Sequence, residues 1–350
     1  MKKTNLFDYT VLMYFIIRAT FFNLFLNNLL KISKQDSYIS ILIAITLSII
    51  PIIIYYKNKH NTLSLFDNNK NIYKHYKIIN VILIITTLLL SSYLLWNLSS
   101  FVKQHLLYNT PNIIIMLTFT IPILYTIYKG YTSLNRGKVI MFFISIIMFI
   151  ITFLSLSPNM KLNSLLPINY NSNIISGIIF YIIYLILPLY TLNVFPKSEI
   201  KNYNIKKIII YILLFQLIPL LMTLALLSIY GINLSLFLNI PEYHVLKRIG
   251  LFSSLNRIDS ILYIQAFFDY FVSITFYLYF SYKGIISTYK VKYPKKIISL
   301  IIIIICFLVN MINYNTIFFI SIYILPYILV ISFFIIPIIT LIKRKITQKV

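Results

Sequence analysis

Two charges stand where charge is expensive. Arg18 lies near the middle of one long apolar run and Asp269 near the middle of another. At the centre of a bilayer an ionised side chain costs at least ~2.5 kcal/mol, and it usually faces a cavity or an opposite charge. Arg18 is roughly 13 Å of helix or more from either end of its run, too deep to reach the interface easily. Matched depth predicts that Arg18 and Asp269 face each other across an interior site, each relieving the other's desolvation. Polar residues cluster at two further places inside apolar runs. Thr20, Asn23, Asn27 and Asn28 follow Arg18, and Pro188 stands among Tyr184, Tyr190, Thr191 and Asn193. Proline removes a backbone hydrogen bond and kinks a helix. Broken membrane helices free backbone groups that hold small ligands. The candidate ligand-binding set is therefore Arg18, Thr20, Asn23, Tyr184, Pro188, Tyr190 and Asp269.

Other chemistry is missing. His60, His75, His105 and His244 are scattered, and the six glycines form no phosphate-cradling cluster. Asp259 and Asp269 are nearly three helical turns apart, which excludes a paired-carboxylate site made by these two alone. Cys306 is the single cysteine, so an intrachain disulfide and a cysteine metal cluster are both excluded. No catalytic residues, metal or cofactor are expected.

The elements that must position these residues are membrane helices. Of 350 residues 60% are hydrophobic and only 11% charged, with a mean hydropathy of +0.88. A soluble domain carries roughly a quarter charged residues. The net charge of +24 would suggest nucleic acid in a soluble protein, but here the basic residues sit in short clusters between apolar runs. That is the pattern of loops at an anionic membrane face, and no nucleic-acid partner is expected. The basic start followed by an apolar stretch to Leu30, with no small-residue cleavage site, reads as a retained first span.

About 20 apolar residues cross the hydrocarbon. The expected spans are 9–30, 38–56, 78–102, 112–128, 139–157, 174–195, 208–231, 258–282, 297–313 and 317–342. The uncharged stretch 297–342 is too long for one crossing, and Asn310 to Asn315 supply its turn. Most of the 31 lysines and arginines fall in alternate loops. The opposite loops hold only Lys31, Lys34, Lys103, Lys161, Lys247, Arg248 and Arg257. This asymmetry predicts cytoplasmic termini. The fold class expected is an all-α integral membrane protein of about ten helices. Two halves of five spans would enter the membrane from opposite faces, which is an inverted repeat of the secondary-transporter kind.

The longest outer loop is 232–257. Pro241 and Glu242 suit a helix start, and Gly250 suits its end. Val245, Leu246 and Ile249 share one face. They predict a short amphipathic helix lying on the membrane surface or against a partner.

Several motifs carry a resemblance. PEYHVLKRIGLFSSLNRIDSIL (241–262) contains an Arg-x-acid pair at Arg257 and Asp259. KQDSYISILIA (34–44), YNTP (108–111) and LLPI (165–168) occur in the same order. In these the chain resembles the B subunit of spore germinant receptors, the spore germination permease family of the amino acid–polyamine–organocation transporter superfamily. Two stretches depart from the family pattern. RATFFNLFLNNL has no glycine at the expected break of the first span, and YLILPLYTLN stands where small residues and an acid are usual. The resemblance implies a multi-pass protein of a spore-forming bacterium's inner membrane. It implies sensing of a small nutrient, amino acids among them, in a transporter-like central site. Signalling would then pass through germinant receptor A and C subunits, with membrane lipid around it. A symporter of amino acids or cations acting alone is the alternative.

Overall fold

The computed structural model describes residues 4–60, 75–166, 173–195, 200–238, 240–247, 259–289 and 293–347. Helices make up almost all of it: α1 (Leu6–Phe21), α2 (Leu24–Ser33), α3 (Ser37–Leu47), α4 (Ile49–His60), α5 (His75–His105), α6 (Asn112–Lys129), α7 (Tyr131–Leu156), α8 (Asn173–Tyr181), α9 (Ile205–Phe237), α10 (Pro241–Lys247), α11 (Asp259–Tyr289), α12 (Pro294–Asn310), α13 (Tyr314–Phe319), α14 (Leu325–Val330) and α15 (Ile336–Thr347). Eight helical stretches among the described residues are long and apolar enough to cross a membrane. These are Leu24–Tyr56, Lys77–His105, Asn112–Lys129, Tyr131–Asn159, Asn173–Val194, Ile205–Phe237, Ile261–Tyr289 and Tyr314–Thr340. The protein is an all-α integral membrane protein. Two expected spans are not among the eight. The first is divided by a break, leaving α1 with 16 residues, and α12 has 17.

Burial explains the arrangement. α1 is apolar all round and buried all round, from Tyr9 through Ile17 and again from Ala19 to Phe21. Such a helix belongs at the centre of a bundle, and α7, α9 and α11 enclose it. The outer helices keep apolar side chains exposed, among them Ile140, Phe143, Ile147 and Leu154 on α7 and Leu300, Ile304 and Leu308 on α12. Lipid is the solvent those faces require.

The first span breaks where the sequence is polar. The last helical bond of α1 runs from Phe22 N–H to the Arg18 carbonyl. Asn23 then takes φ 70 and ψ −115, and α2 begins at Leu24. Positive φ favours glycine, and among other residues asparagine tolerates it best. Asn23 thus does at this break what glycine would do. The sixth span breaks differently. α8 widens into a π turn at Ile182–Ile186 and then tightens into a 3-10 segment, Leu187–Val194, that opens on Pro188. The same device recurs at π turns Ile320–Ile324 and Ile331–Ile335, which precede Pro326 and Pro337. A wide turn absorbs the hydrogen bond that each proline cannot make.

Chain ends meet in two groups. Thr4–Asn5 (β1) pairs in parallel with Ile200–Lys201 (β2). On the same side Asn135 donates to Asp8 at 2.9 Å, and Tyr128 donates to the Lys295 carbonyl at 3.2 Å. The other group joins Gln35 to the Ser164 carbonyl at 2.9 Å and Ser164 to the Ser228 carbonyl at 3.0 Å. Between any two segments on one face the chain crosses an even number of times.

Candidate functional site

Arg18 and Asp269 meet. Nε of Arg18 donates to Oδ2 of Asp269 at 2.9 Å, with the side chains 10% and 2% exposed. α1 and α11 bring them together, and α7 closes the site. Nη2 of Arg18 reaches Oε1 of Gln265 at 3.4 Å, and Nε2 of Gln265 donates to the Ser145 carbonyl at 3.1 Å. The Tyr14 hydroxyl lies 2.7 Å from Oγ of Ser145. The rings of Tyr14 and Phe149 lie 5.8 Å and 5.7 Å from the guanidinium carbon. Two atoms of the pair, Nη1 of Arg18 and Oδ1 of Asp269, are buried without a hydrogen-bond partner among the described residues. Among the described residues the site leaves Nη1 and Oδ1 unpaired in the membrane interior, while the guanidinium also interacts with the Tyr14 hydroxyl.

The break in the first span is a second polar cluster. Asn23 donates its side-chain amide to the Asn97 carbonyl at 3.2 Å and to Oγ of Ser100 at 3.4 Å. Its backbone N–H, orphaned by the break, goes to Oε1 of Glu242 at 3.2 Å. Thr20 bonds back to the Ile16 carbonyl at 2.7 Å within its own helix. Residues of the sixth span face elsewhere. Tyr184 donates to the Ser321 carbonyl, and Asn28 donates to Oγ of Ser321 at 2.9 Å. The Tyr190 ring lies tilted between those of Tyr55 and Phe333, with centroids 5.1 Å and 6.3 Å away. The Tyr55 hydroxyl is within reach of the carbonyls of Leu187, beside Pro188, and of Phe333, at 3.2 and 2.8 Å. The seven candidate residues thus form three neighbouring clusters around α1 and α2. A small cavity lies between α1, α4, α9 and the sixth span, lined by Tyr9, Met13, Tyr55, Tyr56, Leu189 and Asn193.

The family model described as spore germination protein matches residues 5–318. The chain belongs to the spore germination protein family. A search of the curated proteins finds no match. As a spore germination protein it is a multi-pass membrane protein of permease type, which is not a known enzyme family.

Two residues of this spore germination protein escape sequence reasoning. Glu242 reads as a surface charge at a helix start, yet it is 1% exposed and inserted into the break of the first span. Lys138 reads as a loop lysine, yet it lies inside α7, fully buried, with Nζ 2.9 Å from the Tyr131 hydroxyl. One expectation is corrected. Val245 is 2% exposed because α10 packs onto α9 and α11, so it is core and not partner surface. Ile249 and the side chain of Leu246 lie outside the described residues.

Burial pushes the Glu242 carboxyl up to about 8, against hydrogen bonds from its own and Asn23's backbone that lower it. The usual value is 4.5. The folded state then holds this proton more tightly than the unfolded one between those values. Stability from this group is complete below the lower value, falls as pH rises toward the upper one, and is level beyond it. The melting temperature of the purified chain in detergent should fall across that window. Glu242→Gln should flatten the profile, and an unchanged slope in that variant would contradict the assignment.

Proposed function

We propose that this chain is the B-type subunit of a germinant receptor, which senses a small zwitterionic nutrient, an amino acid, and passes its occupancy to A and C subunits. The observation that carries this reading is the Arg18–Asp269 pair with its free Nη1 and Oδ1. A zwitterion presents a carboxylate and an ammonium group a few ångströms apart. Its carboxylate would take the guanidinium and its ammonium the Asp269 carboxylate. One buried ion pair becomes two, and the interior stays neutral throughout. That exchange biases the packing of α1 against α11 and α7, which is how occupancy shifts a conformational population. Thr20, Asn23, Tyr184, Pro188 and Tyr190 shape the two breaks beside the site.

The same reading places ten spans in two halves of five, in a bacterial spore's inner membrane with both termini cytoplasmic. The two groups of meeting chain ends support the alternation of faces up to the eighth span, because each join encloses an even number of the proposed spans. Single cysteines at Tyr108 and Tyr293, in a Cys306→Ala background, test the orientation. An impermeant thiol reagent should label Tyr108→Cys in intact cells and leave Tyr293→Cys untouched; the reverse pattern would invert the topology. Reconstitution in liposomes tests sensing itself. The chain alone should bind amino acid without accumulating it, and sustained uptake would replace the sensor with a symporter.

A further inference from the structure

The outer helix α10 is anchored by more than its apolar face. It packs on α9, α11 and α7. The Tyr230 hydroxyl donates to the His244 carbonyl at 2.7 Å, and the Tyr243 ring lies 3.9 Å from the His105 ring of α5. From this platform Glu242 enters the break of the first span. In an unbroken helix the Asn23 N–H would bond to the carbonyl four residues back. Here that donor is orphaned, as at any helix start, and the carboxyl group of α10 takes it from 219 residues away. A carboxylate at this position also faces the N-terminal end of α2, which favours negative charge. The other oxygen, Oε2, is buried without a partner among the described residues. The titratable groups around the carboxyl are Tyr243 and His244 on α10, His105 on α5, Tyr230 on α9 and Tyr270 on α11; the Lys247 side chain lies outside the described residues.

We propose that Glu242 is a latch, whose hydrogen bond to the Asn23 backbone fixes α10 as a lid over the break in the first span. Glu242 is a positioning residue in this reading: it touches backbone and no ligand. Uncovering the break means releasing this bond and sliding one short helix on its platform, where the Tyr230–His244 bond is the other polar tie. The bond goes to a main-chain N–H, so it does not depend on the residue 23 side chain as long as the backbone keeps its conformation, as in Asn23→Gly. The latch rests on the proposed function only in calling this side the outer one.

The test reads access to the break directly. Ser100, 8% exposed and 3.4 Å from the Asn23 side chain, becomes the reporter as Ser100→Cys in a Cys306→Ala background. The full chain is purified in detergent, where both faces are reachable, so an error in orientation leaves the readout unchanged. Labelling rates of the variants are compared at one pH and divided by that of exposed Tyr108→Cys, which removes differences in reagent activity. With Glu242 intact the reporter should be protected. Glu242→Ala should speed labelling by about tenfold or more, as expected when a local closure is lost. Glu242→Gln keeps the acceptor oxygen and should stay protected. Glu242→Asp keeps the carboxyl group but is one methylene short, and should label faster than Glu242→Gln, which keeps the test alive if the alanine variant fails to fold. Equal rates for Glu242, Ala and Asp, or a Gln variant as fast as Ala, would overturn the latch.

Discussion

Arg18→Leu and Asp269→Leu should each cost about 3 kcal/mol of stability, and the double Leu variant should recover part of that loss. Removing one partner of a buried ion pair strands the other, and such changes cost roughly 3–5 kcal/mol. The geometry makes stranding severe here. Arg18 without Asp269 keeps the 3.4 Å contact to Gln265, the Tyr14 hydroxyl and the flanking rings of Tyr14 and Phe149, none of which carries the opposite charge. Asp269 without Arg18 keeps no described hydrogen-bond partner, since its one bond is to Nε. Two leucines carry no charge to strand. The measurement is a double-mutant cycle on folded yield and on thermal unfolding in detergent. Strict additivity would contradict the pairing, because interacting residues show coupling energies of about 0.5–3 kcal/mol.

Asn23→Val should be the second severe change, by about 3 kcal/mol. A β-branched residue at positive φ is strained by about 1–3 kcal/mol, and φ here is 70. The substitution also removes the donors to the Asn97 carbonyl and Ser100. Losing these bonds costs a further ~1 kcal/mol, since the Asn97 carbonyl keeps the Ser100 hydroxyl as a donor. Asn23→Gly separates the two effects. Glycine accepts the backbone conformation freely, so only the side-chain bonds are lost, at a cost of about 1 kcal/mol. Unfolding of the two variants should differ accordingly. A valine variant no worse than the glycine variant would show that the break does not depend on the conformation of residue 23.

The sequence carries the depth of charges well and the direction of side chains poorly. Depth follows from position within an apolar run, and together with the fold that the resemblance implies, in which spans one and eight line one site, it pairs Arg18 with Asp269. Breaks are also legible, because Asn23 and Pro188 alter the backbone locally. Direction depends on how helices are rotated against one another. Tyr184 therefore turns to Ser321, and Tyr190 to Tyr55 and Phe333, instead of toward Arg18. Glu242 fails for a related reason. A proline followed by an acid opens a helix equally well on a surface or in a core, and only the packing of α10 decides which. Lys138 sits beside a loop in the sequence, but α7 begins at Tyr131, two turns earlier, and carries it inside. Three residues bear on the missing glycine: Phe22 ends the helix, Asn23 takes the positive φ, and Leu24 restarts it.

Calorimetric titration of the purified chain with zwitterionic amino acids, and with the same compounds amidated at the carboxylate or lacking the amine, addresses the central claim most directly. The account predicts saturable binding of a zwitterion. It predicts at least tenfold weaker binding of both analogues, since each loses one charged partner, worth about 1.4 kcal/mol or more. The double Leu variant, neutral at residues 18 and 269, should remain folded and bind neither. Zwitterion binding of unchanged affinity in that double variant would contradict the claim that Arg18 and Asp269 hold the ligand.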